Sequence, residues 1–160
     1  MTPEQSLAST AVQSWTINIG RAEKFFLGLS DEEMSKAVAP GKNRLVYLFG
    51  HLIAVHDAML PLLGIGDRLH PELDAAFLEE ADSNRADAVP ASDLKRSWAE
   101  VHTALRTGFE RFTPADWTAR HTAMTDADHA ANPLRNRLAV LLNRTAHLAY
   151  HMGQCALAPK

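Results

Sequence analysis

Apolar residues that recur at steps of three and four are the feature that most constrains how this chain folds. This spacing indicates amphipathic α-helices that each bury one face. The pattern runs through four long segments, and the sequence shows no alternating strand pattern, hairpin dipeptide or internal repeat. Four such helices are expected to hide their apolar faces against one another, which predicts an all-α fold, a four-helix bundle.

The first two long helices are predicted from their apolar stripes and end signals. Ser30 is expected to cap a short turn after the first helix, and Pro40-Gly41 is expected to break the chain. The second helix is predicted to run from Arg44 to Leu63, with Gly64 as its stop. The predicted inward-facing residues are Leu7, Ala11, Trp15, Asn18, Ala22, Phe25 and Leu29 in the first helix, and Leu48, His51, Leu52, Val55, Met59 and Leu62 in the second.

The connection between the second and third long helices is long. Its periodicity weakens between residues 64 and 90, where we expect one short helix over 72–78 and a crossover between helices two and three. The third helix is predicted to start near Pro90 with Ser92 as its cap, and Thr113-Pro114 predicts a short turn after it. The fourth is predicted to run from Pro133 to about Leu157. Their predicted inward faces are Leu94, Trp98, Val101, Leu105, Phe109 and Phe112, and Leu134, Leu138, Leu141, Leu142, Leu148 and Met152.

Length, charge and cysteine usage exclude several classes of protein. A chain of 160 residues is about one domain long, so we predict a single domain over 1–160. The formal net charge of −3 offers no electrostatic basis for nucleic-acid binding. The lone Cys155 excludes an internal disulfide and suits a reducing compartment. No secretory signal is visible and polar residues interrupt the apolar stretches, so we expect a cytoplasmic protein that spans no membrane.

Eight histidines in 160 residues are unusually many, and two of them have the spacing of metal ligands. His147 and His151 lie four residues apart, hence one above the other on a helix face, and neutral imidazoles so placed can both reach one metal ion. The pair lies at the edge of the apolar stripe, where water has access. By spacing alone, a pair that binds no metal is an equally good interpretation.

His51 lies within the apolar face of the second predicted helix. A buried imidazole without a partner costs about 1–3 kcal/mol, so His51 needs a hydrogen bond or a metal. By itself it is better interpreted as a hydrogen-bonded core histidine. If helices two and four pack together, His51, His147 and His151 can form a set of three nitrogen ligands, which leaves a coordination position open as in catalytic zinc sites.

The remaining histidines have simpler interpretations. His102 falls on the inner face of helix three and is predicted to be a core residue, with a spare ligand or pocket base as the alternative. His56 is predicted to be solvated at the edge of helix two. We assign no role to His70, His121 and His129, which lie in polar connections. Cys155 is predicted to be a small buried hydrophobic residue.

The C-terminal string from Thr145 to Gln154, TAHLAYHMGQ, resembles the hallmark H-x-x-x-H-x-G-Q of the DinB-like superfamily, which includes YfiT-like proteins and bacillithiol- and mycothiol-dependent enzymes. A histidine early in helix two, about a hundred residues upstream, completes that pattern, and His51 lies 96 residues before His147. The resemblance implies a bundle with a long crossover and metal ligands at His51, His147 and His151. It also implies a close backbone approach at Gly153 and an outer-shell role for Gln154.

Three neutral imidazoles suit zinc, nickel or another borderline divalent ion. The resemblance implies a metal-dependent enzyme, a thiol S-transferase of the bacillithiol or mycothiol type or a hydrolase, which acts on a small electrophile and uses a low-molecular-weight thiol. Tyr47, Arg44 and Asn143 are candidate substrate contacts, and no general base is identified. The alternative is a non-catalytic metal-binding or small-ligand-binding bundle that serves as a stress-response dimer module. The resemblance further implies a homodimer that binds a small-molecule substrate.

Overall fold

The computed structural model describes residues 1–159 and is all-α. Its long helices are α1 (Pro3–Leu27), α3 (Leu45–Asp57), α7 (Ala91–Glu110) and α10 (Arg137–Cys155). Short helices lie between them: α2 (Asp31–Met34), α4 (Met59–Leu63), η1 (Pro71–Leu73), α5 (Asp74–Phe77), α6 (Asn84–Asp87), α8 (Pro114–Thr118) and α9 (Asp126–Ala131). The described residues therefore contain the four long helical segments that were predicted and more short helices than the one predicted over 72–78 and the two predicted short turns.

The second predicted helix is interrupted at Ala58, which separates α3 from α4. Pro61 explains the break, because it has no N–H to donate to the carbonyl four residues earlier and its ring collides with that carbonyl. Gly64 ends α4 with a left-handed φ of 70°, as predicted for a helix stop. The left-handed Gly64, at the end of α4, leads the chain into the crossover.

One buried core joins the long helices, with α1 packed on α10 and α3 packed on α7. The predicted inward face of α7 is largely confirmed, since Leu94, Trp98 and Val101 are almost fully buried. The predicted stripe of α1 is confirmed in part, because Trp15 and Ala22 are buried whereas Leu7 is 71% exposed. The residues that α1 buries are Ala8, Trp15, Ile19, Ala22 and Phe26.

The ends of the remaining elements follow their caps. Asn136 accepts a hydrogen bond from the Ala139 N–H, so α10 begins at Arg137 and leaves Leu134 outside the helix and 80% exposed. Pro90 precedes α7, and Ser92 lies inside its first turn rather than at the cap. The caps predicted at Ser30 and Thr113 are confirmed, each within a capping box.

The crossover, residues 64–90, packs against α3 rather than extending into solvent. Arg44 ties it to the start of α3, since the guanidinium and the backbone N–H of Arg44 both donate to Asp82. Asp57, at the end of α3, is fully buried and accepts hydrogen bonds from Arg68, Leu69 and His70. The crossover is therefore fixed to both ends of the helix that carries His51.

The segment Leu45–Leu63 has the length and composition of a membrane-spanning helix, contrary to the expectation from the sequence. The most apolar 18 residues of this segment have a mean hydropathy of 1.5, and 72% of this stretch is buried inside the protein. A core helix surrounded by other elements has the same composition. The position of α3 in the core accounts for its hydropathy.

Candidate metal centre

Three imidazoles from two distant parts of the chain converge where α3 meets α10. His147 and His151 lie one turn apart on α10, and His51 faces them from α3. The Nε2 atom of His147 lies 3.3 Å from Nε2 of His51 and 3.0 Å from Nε2 of His151. One ligand atom from each of the three lies within 4.8 Å of the others. All three side chains are partly buried, so the cluster lies at the edge of the core.

His51 is held by the backbone of the crossover. Its Nδ1 lies 2.9 Å from the carbonyl oxygen of Phe77, and because a carbonyl only accepts, Nδ1 carries the proton. In the neutral ring the lone pair is then on Nε2, which faces His147. Gly50 allows this arrangement, since a Cβ at that position would lie 2.3 Å from the ring of Phe77.

His151 is oriented from its own helix. Its Nδ1 donates to Oε1 of Gln154 at 2.7 Å, and the amide of Gln154 donates in turn to the hydroxyl of Tyr150. This leaves the Nε2 lone pair of His151 facing His147. Hydrogen bonding of the distal ring nitrogen is the usual means of fixing the orientation and tautomer of a metal-binding histidine.

His147 lies between the other two rings, and its Nδ1 is buried with no hydrogen-bond partner. Burial, followed by the neighbouring His151, His51 and Arg144, lowers the pKa of His147 to about 4. Burial also lowers the pKa of His151, against the opposing effect of its hydrogen bond to Gln154. Both rings are therefore neutral at pH 7, which is the state in which imidazole binds a metal.

These features fit a divalent cation. Zn–N bonds of about 2.0–2.1 Å in a tetrahedral site place two nitrogens about 3.3 Å apart, and the separations here are 3.0 and 3.3 Å. The Nε2 atoms of His51 and His151 both face Nε2 of His147, which carries at most one proton, whereas a cation among the three nitrogens could be bound by all of them. The residues fit zinc or nickel, and the donor set does not discriminate between them.

The polar groups of two candidate substrate contacts, Arg44 and Tyr47, are engaged by the crossover. Arg44 is engaged by Asp82 and Asp87, and the hydroxyl of Tyr47 donates to the Glu80 carbonyl at 2.8 Å. The Tyr47 ring instead stacks on His51 with centroids 6.3 Å apart. Asn143 is exposed. These contacts show that Arg44 and Tyr47 fasten the crossover beside His51.

The outer-shell prediction for Gln154 agrees with its bond to His151, whereas the close approach expected at Gly153 is wrong. A Cβ at Gly153 would meet nothing within 4 Å, because this side of α10 faces open space. Sequence reasoning also missed the carbonyl of Phe77. A backbone group has no residue type that signals it, so only the tertiary structure could reveal this contact.

His56 is fully buried rather than solvated, which corrects the sequence prediction. Nδ1 of His56 lies 2.7 Å from Nε2 of His102, whose own Nδ1 donates to the carbonyl of Trp98. His102 is buried as predicted. Burial lowers the pKa of His102 to about 3 and that of His56 well below its usual range. This neutral pair belongs to the α3–α7 interface.

A cavity of about 710 Å³ lies elsewhere, between α1, α7 and α8, and none of the three clustered histidines lines it. A ligand of the histidine cluster would therefore approach from the partly exposed edge where α3 and α10 meet.

Comparison with curated proteins found no match to the chain. A family model, by contrast, matches most of its length, from residue 15 to residue 155, and all three clustered histidines lie within the match. This chain belongs to the DinB superfamily.

Proposed function

We propose that this protein is a metal-dependent enzyme that transfers a low-molecular-weight thiol to a small electrophile, with His51, His147 and His151 as the ligands of a divalent cation. The observation that carries the proposal is the convergence of three Nε2 atoms from His51, His147 and His151, two of which, His147 and His151, have pKa values lowered by burial. A structural zinc site usually has four protein ligands, whereas three leave a position for a reacting group.

A divalent cation at this site would stabilise the thiolate form of a bound thiol or lower the pKa of a bound water. The chain's own contribution is to hold the three rings. The Phe77 carbonyl and the Gln154 amide fix two of them, and three neutral ligands leave the charge of the cation undiminished. In thiol transfer, sulfur forms a bond to the electrophilic carbon, the thiol proton goes to solvent, and the leaving group departs with its electron pair.

Two further points belong to the proposal. The four long helical units, α1, α3 with α4, α7 and α10, are proposed to be the bundle of the family, with the other helices as additions. The protein is also proposed to be a cytoplasmic homodimer with a small-molecule substrate, without a nucleic-acid or membrane partner. A monomer mass in light scattering at micromolar concentration would contradict the dimer.

Metal content is the first test. Protein expressed without a histidine tag should contain close to one equivalent of zinc or nickel by mass spectrometry. His51→Ala and His147→Ala should lose it, whereas the matched variant His129→Ala, on α9, should keep it. Equal metal content in all four proteins would refute the ligand assignment.

Activity is the second test. Wild-type protein incubated with a thiol such as 2-mercaptoethanol and 1-chloro-2,4-dinitrobenzene should form the thioether faster than the uncatalysed rate, and a chelator should abolish the difference. Turnover that survives complete metal removal would contradict the mechanism. Bound metal without turnover over a panel of thiols and electrophiles would favour a non-catalytic metal-binding protein.

A further inference from the structure

Arg144 is a partly buried cation for which the structure provides no partner among residues 1–159. Its Nε is buried with no hydrogen-bond acceptor, and no carboxylate lies within ion-pairing distance of its guanidinium. The other arginines without an ion pair in this part of the chain, Arg21, Arg111 and Arg135, are exposed to water. A guanidinium has five N–H donors and no acceptor, so only an anion or a polar oxygen can satisfy it.

The position of Arg144 connects it to the histidine cluster. It precedes His147 by three residues and His151 by seven on α10, so all three lie on one face of the helix. Helical side chains lean toward the N-terminus of their helix, so the guanidinium of Arg144 lies on the side of His147 that is away from His151. Burial and the neighbouring histidines, and then the charge of Arg144, lower the pKa of His147, which is consistent with that proximity.

The charges around the cluster are unbalanced. The groups that contact the three rings are uncharged: the Phe77 carbonyl, the Gln154 amide and the Tyr47 and Tyr150 rings. No carboxylate is among the groups that shift the pKa of His147 or His151. With a divalent cation in place, two centres of positive charge would lie along one helix face without a protein anion between them.

We propose that Arg144 binds an anionic group of the ligand, and that the molecule recognised here is a small thiol that also carries a second negatively charged group such as a carboxylate. This inference rests on the proposed function and specifies its substrate class. The thiol end would lie at the histidines and the anionic end at the guanidinium. Since seven residues of helix span about 10 Å, a chain of a few carbons separates the two groups.

Binding by the cobalt(II)-loaded protein tests the proposal without reference to turnover. The probes are 3-mercaptopropionate, which has a carboxylate, and 2-mercaptoethanol, which has none, each titrated by absorption spectroscopy and calorimetry. Wild type should bind 3-mercaptopropionate at least about 10-fold more tightly, since hydrogen bonds between charged groups are the strong class. Arg144→Gln should bind both thiols with similar affinity, and Arg144→Lys should keep part of the preference.

The matched control is Arg135→Gln, an exposed arginine that also lacks an ion pair, and it should behave as wild type. Equal affinity of wild type for both thiols, or an unchanged preference in Arg144→Gln, would overturn the inference while thiol binding itself stands. If neither thiol binds, the proposed thiol chemistry is wrong. The anion site is then tested by itself with succinate, a dicarboxylate without a thiol. Succinate binding that depends on Arg144 would support that site, and binding that does not would overturn it.

Discussion

Gly50→Ala should loosen the histidine cluster without touching any of its ligands. A Cβ at residue 50 would lie 2.3–2.5 Å from three ring carbons of Phe77, where van der Waals contact requires about 3.5–4.0 Å. Phe77 is fully buried, so its ring cannot swing into solvent and must move by about 1 Å together with its backbone. That backbone carries the carbonyl bound to His51.

The magnitude follows from two opposing terms. Alanine is favoured over glycine inside a helix by about 1 kcal/mol, and overpacking a core costs about 1–3 kcal/mol. We expect a net loss of up to about 2 kcal/mol in the free energy of unfolding of the metal-free protein, which is a fall of up to several degrees in Tm. Disturbing the group that holds a metal-binding histidine should weaken metal affinity about 10- to 100-fold.

The assays are urea unfolding of the metal-free protein and competition for zinc with a chromophoric chelator. Gly153→Ala is the matched control, because it lies beside His151 in α10 and its Cβ would meet nothing within 4 Å. This control should gain up to about 1 kcal/mol and bind zinc as wild type does. If Gly50→Ala is as stable and binds zinc as tightly as Gly153→Ala, the steric reasoning is wrong.

Three further perturbations test other parts of the structure. Asp57→Ala should lower the free energy of unfolding, measured by denaturant titration, by about 3 kcal/mol, because the buried carboxylate accepts hydrogen bonds from a guanidinium and two backbone N–H groups. The control Asp93→Ala removes a surface ion pair and should lower it by less than about 1 kcal/mol. Burial holds the pKa values of His56 and His102 below the unfolded value near 6.5, so the unfolded chain binds more protons than the folded one. The free energy of unfolding should therefore fall below pH 6.5, by up to about 1.4 kcal/mol per pH unit for each ring. Equal urea midpoints at pH 7.5 and pH 5 would contradict this expectation. Burial raises the pKa of the Cys155 thiol to about 12, so a disulfide reagent at pH 8 should modify it only after denaturation, and rapid labelling of the native protein would show that this residue is accessible.

The sequence predicts elements best where one face is unambiguous. The apolar residues of α7 fall on a single stripe among charged neighbours, and their burial follows it. In α1 the predicted stripe is only partly right, because apolar residues are spread around more of the helix. Tertiary contact selects the stripe that includes Ile19 and Phe26 over the one that includes Leu7.

The candidate site shows the same limit. The His147–His151 pair follows from helical periodicity. The approach of His51 depends on how α3 meets α10, so the residues predict it only on the condition that these helices pack together, and the resemblance to a family then implies it. His56 was placed wrongly because its partner, His102, lies 46 residues away. A polar residue whose hydrogen bond comes from a distant helix looks like a surface residue when only its neighbours in sequence are considered.

The separation of 96 residues between His51 and His147 has a consequence for folding. A cation held by both would be a cross-link that closes most of the chain into a loop, and the unfolded chain cannot offer the same three nitrogens at once. At a free-metal concentration 1,000 times the dissociation constant, such a link adds about 4 kcal/mol to the stability of the folded state. The supply of metal would then set the lifetime of the protein as well as its chemistry, and starvation for the ion would expose the chain to proteolysis.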